Sequence, residues 1–78
     1  MLVNTKEILT CAQQGQYAVA AFNVYNLETT QAAIQVSERE GTPVIIALGE
    51  RYFPIIDVEG FSAMVKAMAE KVKVPVSL

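Results

Sequence analysis

Tyr17-Ala18-Val19-Ala20-Ala21-Phe22-Asn23-Val24 and Val44-Ile45-Ile46-Ala47-Leu48 decide how this chain folds. Both runs are apolar almost throughout instead of alternating, which is the pattern of a strand buried on both faces of a parallel sheet. β-Branched residues open the second run, as a pleated buried surface favours. A parallel pair needs a crossover between its strands, and the intervening residues supply one. Asn26 stands as a helix N-cap, Leu27, Thr30, Ala33, Ile34 and Ser37 recur at helical spacing, and Gly41 followed by Pro43 stops the helix, which is expected over residues 27–40.

The same grammar continues outward. Upstream, Asn4-Thr5-Lys6-Glu7 has the form of a capping box. Ile8, Leu9 and Ala12 share a face, and Gly15 suits a left-handed helix end, so a short helix is expected over residues 5–14. Cys11 on that helix reads as a small buried hydrophobe. Downstream, Gly49 to Pro54 is a loop and Asp57 a cap. Val58, Phe61, Val65, Met68 and Val72, widened by Met64, form the apolar stripe of another helix, with Lys71 and Lys73 near its C-terminal end. Val74-Pro75-Val76-Ser77-Leu78 begins a third strand. The expected order is an N-terminal helix followed by β-α-β-α-β, an α/β class.

Composition bounds what such a unit can do. The 78 residues allow one domain, and 53% of them are hydrophobic, above the ~45–50% of ordinary soluble domains. Right-handed crossovers place both major helices on one side of the sheet, leaving the other side bare. In a (β/α)8 barrel that bare side becomes the packed interior. The sequence is therefore expected to be the first, incomplete sector of a single barrel domain. The net charge is −2 with no basic cluster, which argues against nucleic acid as a partner. The apolar run Val44–Leu48 is far shorter than the ~20 residues that span a bilayer, and no signal peptide is apparent, so neither membrane insertion nor secretion is expected. One cysteine precludes an internal disulfide and fits a cytoplasmic location. With no histidine, a Ser-His-Asp triad is excluded and a self-contained catalytic zinc site is not expected.

Several stretches carry a family likeness. Leu2-Val3-Asn4-Thr5-Lys6-Glu7-Ile8-Leu9, then Gly15 to Val24, then Asn26-Leu27-Glu28-Thr29-Thr30-Gln31, then Thr42-Pro43-Val44-Ile45-Ile46 together resemble the opening of class II ketose-bisphosphate aldolases. That resemblance implies a (β/α)8 barrel, a homo-oligomer and a sugar bisphosphate substrate, fructose or tagatose 1,6-bisphosphate. It also implies zinc, which polarises the ketone oxygen, and an Asp that moves the proton at the hydroxyl where the carbon–carbon bond breaks. In the family that Asp, with a zinc His directly after it, ends the third strand. No catalytic residue and no metal ligand is therefore expected within Met1–Leu78.

Two residues remain as substrate-binding candidates. By resemblance Asn23 matches a substrate-contacting Asn at the C-terminal end of the first strand; the plainer reading is a buried amide satisfied by loop backbone. Gly49 stands where several family members carry a substrate-contacting Ser. It loses that hydroxyl but leaves a backbone N–H approachable, or is simply a turn glycine. Arg51 is a further candidate for a phosphate, against the commoner fate of a solvated loop charge. Asn26 reads as a cap.

Two other functions fit the element order. A nucleotide-binding half of a doubly wound fold would need a glycine-rich phosphate loop after the first strand, and neither G-x-G-x-x-G nor a P-loop is present. A non-catalytic segment that self-associates through open sheet edges is the other.

Overall fold

The computed structural model describes residues 1–78. The elements are α1 (Thr5–Gly15), β1 (Ala20–Val24), α2 (Leu27–Glu40), β2 (Val44–Leu48), a 3-10 turn (Glu50–Tyr52), α3 (Val58–Ala69) and β3 (Val76–Ser77). The strands form one parallel sheet in the order β1-β2-β3, with Ala20 opposite Val44, Val24 opposite Leu48 and Val44 opposite Val76. The expected α/β order and parallel pairing are thus observed. β1 and β3 are shorter than the apolar runs that foretold them.

Local signals set the helix ends. The Asn4 side chain accepts from the Glu7 backbone N–H at 3.3 Å. α2 begins with a full capping box: Thr29 N–H donates to Asn26 Oδ1 at 2.9 Å, and Asn26 N–H donates to Thr29 Oγ1 at 3.3 Å. Gly41 closes α2 at φ 67°, in the left-handed region that glycine adopts freely. At the end of α1 the left-handed residue is Gln16, at φ 57°, not Gly15. A Cβ at Gly15 would lie 2.6 Å from the ring of Tyr17, an exposed side chain with room to turn aside. Asp57 precedes α3 without a side-chain capping bond. α3 ends at Ala69, so Lys71, Val72 and Lys73 lie in the turn beyond it.

The core lies between one face of the sheet and the α2/α3 layer. Val24, Val44, Ile46 and Val76 meet Ala33 and Ile34 of α2 and Phe61, Val65 and Ala69 of α3. Thr30 and Ser37 also face inward, and each hydroxyl donates to the carbonyl four residues back, Asn26 O and Ala33 O, at 2.8 Å. That bond satisfies a buried hydroxyl without any partner outside the helix. Leu27 and Val58 are exposed, so each stripe is narrower than its spacing foretold. On α1, Ile8 and Ala12 are buried, while Leu9 and Cys11 are exposed; Cys11 is not the buried hydrophobe its helix suggested.

Three hydrogen bonds from two side chains tie distant segments to β3 and the turn before it. Thr5 Oγ1 donates to Ser77 Oγ at 2.9 Å. Glu38 Oε2 accepts the backbone N–H of Lys73 at 3.0 Å and of Val74 at 3.1 Å. The outer edge of β3 is partly occupied as well: Leu2 forms a parallel bridge to Val76, with Val76 N–H donating to Met1 O and Val3 N–H to Val76 O, both at 2.8 Å. Only β1 keeps a wholly open edge.

The opposite face of the sheet is bare beyond α1. The chain measures 38 × 22 × 15 Å, a slab no thicker than one sheet and one helix layer. Its accessible surface is 5231 Å², whereas a self-contained monomer of 8.5 kDa exposes about 4,700 Å². Four of the five β1 residues are exposed.

Candidate functional site

The parallel register brings the C-terminal ends of β1 and β2 level, Val24 beside Leu48. Open parallel sheets and barrels both build ligand sites at that end, because the connecting loops converge there and the strands below hold them rigidly. Side chains alternate along a strand. Val24, Ile46 and Val44 point into the helix-covered core, so Asn23 and its partner Ala47 face the bare side. Asn23 is exposed, not buried against loop backbone, and its amide is presented on the open face.

Gly49 follows β2 directly and starts the 3-10 turn with φ −64° and ψ 137°, values open to any residue. A Cβ at Gly49 would meet the Tyr52 ring at 3.5 Å and Arg51 Cγ at 3.9 Å, which is ordinary contact. Neither backbone nor packing therefore demands glycine here. What glycine does provide is an uncovered backbone at the strand end.

The turn after Gly49 folds back across the sheet end. Tyr52 stacks on Tyr25, the residue after β1, with ring centroids 5.8 Å apart and planes inclined by 24°. The Arg51 guanidinium carbon lies 5.5 Å from the Tyr52 ring centroid, a cation–π contact. The chain's one ion pair, Arg39 with Glu40, involves neither residue and lies on the surface. Arg51 thus stands beside Gly49 without a carboxylate partner in this chain. Sequence reading overlooked the Tyr25–Tyr52 pair; an aromatic just beyond each of two adjacent strands was the available signal.

An apolar cleft of about 360 Å³ opens near the same end, walled by Ala47, Leu48, Phe53, Val58, Phe61 and Leu78. A second cleft, about 310 Å³, lies beneath α1 against Pro43 and Pro75. These prolines precede β2 and β3, so that cleft is at the end opposite Asn23 and Gly49. No three His, Cys, Asp or Glu side chains come together anywhere in the chain. The residues present therefore do not compose the zinc site that the resemblance implies. No helix is long and apolar enough to cross a membrane.

A parallel β-α-β-α-β sheet with its two major helices on one face defines an α/β unit. Residues 3–78 match the family model of class II fructose-bisphosphate aldolase, and the chain belongs to that family. Among solved structures it resembles the crystal structure of the YdjI aldolase from Escherichia coli K12, with a TM-score of 0.88 and 36% identity. The match covers 99% of this chain and 30% of that one, so the chain spans less than a third of the length of that aldolase.

Proposed function

We propose that this chain is a sector of a zinc-dependent (β/α)8 aldolase. The reaction is the reversible aldol cleavage of fructose or tagatose 1,6-bisphosphate to dihydroxyacetone phosphate and glyceraldehyde 3-phosphate. The observation that carries the reading is the family match over residues 3–78, on a sheet whose second face is bare. In a barrel that face is interior, and Asn23 and Gly49 stand at its rim. Asn23 donates or accepts a hydrogen bond at a substrate oxygen, and Gly49 offers its backbone N–H. The zinc ion is held by residues other than these. Carbonyl polarisation and proton transfer are thus not roles of this chain, whose share is to bind and orient the substrate. The same reading makes the complete protein a cytoplasmic homo-oligomer.

The test has two arms. The complete protein should release triose phosphate from a ketose bisphosphate, lose that activity to a chelator and regain it with zinc. The 78 residues alone, given zinc and the same substrate, should release none. Turnover by the short chain, or chelator-resistant turnover by the complete one, would defeat the reading. The excess exposed surface also suits a second reading, a self-associating segment without catalysis. A discrete oligomer of the short chain in light scattering, together with no sugar-phosphate cleavage by the complete protein, favours that alternative.

A further inference from the structure

We propose that Tyr25 is a positioning residue: through Tyr52 it holds the Gly49 backbone in place beside Asn23, so that these two groups engage one ligand together. The inference rests on the aldolase reading above and adds to it what fixes the spacing of the two groups. Asn23 lies within β1, opposite Ala47, and the paired strands end at Val24 and Leu48. Gly49 stands just beyond that ladder, at the root of the 3-10 turn. Strand pairing therefore fixes Asn23 but stops one residue short of Gly49.

Two side chains hold the segment that follows. From Glu50 to Asp57 every residue is exposed except Tyr52 and Ile56. Ile56 packs on the core at the far end, whereas Tyr52, nearer Gly49, stacks on Tyr25. Tyr52 is also the hub of the turn's backbone bonds. Its N–H donates to Gly49 O at 3.0 Å, and its carbonyl accepts from Ile55 N–H at 3.0 Å and Ile56 N–H at 2.8 Å. Its ring lies 3.5 Å from where a Gly49 Cβ would stand, so Gly49 follows any movement of Tyr52. Tyr25 is the fixed partner, because its own N–H donates to Thr29 Oγ1 at 3.1 Å, within the capping box of α2. Ring centroids 5.8 Å apart lie within the range of a favourable aromatic pair. The contacts thus run from the α2 cap through two rings to the Gly49 backbone. A binding group held in this way loses less entropy when its ligand arrives.

The experiment uses the complete protein with Tyr25→Leu and Tyr25→Phe. It reads kcat and KM for the ketose bisphosphate, and hydrogen exchange at the Tyr52 amide. One aromatic pair shifts a docking equilibrium by up to about tenfold, and apparent affinity falls with the fraction docked. In Tyr25→Leu the Tyr52 amide should exchange about fivefold faster, and KM should rise about fivefold at unchanged kcat. Tyr25→Phe keeps the ring and should match the wild type on both. Tyr25 is half exposed and its replacement opens no core cavity, so a fall in folded protein does not account for the change in KM. An unchanged Tyr52 exchange rate in Tyr25→Leu would overturn the clamp, and faster exchange with unchanged KM would overturn its bearing on the substrate. If the wild-type protein cleaves no ketose bisphosphate while Tyr25→Leu still frees Tyr52, the aldolase reading fails and the clamp stands.

Discussion

Replacing Glu38 by Ala should loosen the approach to β3 and little else. Glu38 Oε2 is the acceptor for two backbone donors, Lys73 N–H at 3.0 Å and Val74 N–H at 3.1 Å, from the turn between α3 and β3. These bonds cross 35 and 36 residues of sequence, so they fasten the end of α2 to a distant segment. A hydrogen bond to a charged acceptor contributes about 1.5–3 kcal/mol where water is excluded. The Lys73 bond is exposed, and water replaces it at little cost; the Val74 bond is partly buried and retains most of its worth. The expected loss is about 2 kcal/mol, which is roughly a 30-fold rise in the local opening equilibrium. Amide hydrogen exchange reads it directly. Val74 should exchange about 30-fold faster in Glu38→Ala, and Lys73 should change less. Glu38→Gln keeps an oxygen acceptor without the charge and should fall between. Unaltered protection of Val74 in Glu38→Ala would refute the claim that this carboxylate holds the turn.

Other substitutions probe separate links. Thr29→Ala removes one half of the capping box at α2 and should destabilise by about 1 kcal/mol in chemical denaturation. Gly41→Ala meets no atom within 4 Å, so any loss, expected at about 1 kcal/mol, reports the backbone at φ 67° alone. Gly49→Ser should leave the melting temperature within a degree or two, because φ is −64° and the space is adequate. A drop of many degrees would show that the turn needs glycine after all. Gly15→Ala should cost less than Gly41→Ala, since the new methyl group meets only the exposed Tyr17 ring, which can swing aside.

Much of this architecture is legible residue by residue. The apolar runs at Tyr17–Val24 and Val44–Leu48, the Asn26 cap and the Gly41 stop depend on neighbours in the chain, and each marks an observed element, although β1 fills only Ala20–Val24 of its run. Asn23 and Gly49 could be placed at strand ends for the same reason. What went astray concerns how α1 ends and which of its sides packs. Gly15 has the composition of a helix stop, but the left-handed residue is Gln16, one position on. Cys11 sits on an amphipathic helix, yet only the packing of α1 shows that its side faces solvent.

By itself the sequence determines a parallel β-α-β-α-β unit with more apolar surface than it can bury, because strand period, helix period and capping are short-range properties. Tertiary structure alone decides which groups share the functional end. The stacking of Tyr25 on Tyr52 and the clamp of Glu38 on Val74 both join segments that the fold brings together. The chain can hint at such partners but cannot pair them, since their energy arises only once loops have closed and distant backbones lie side by side.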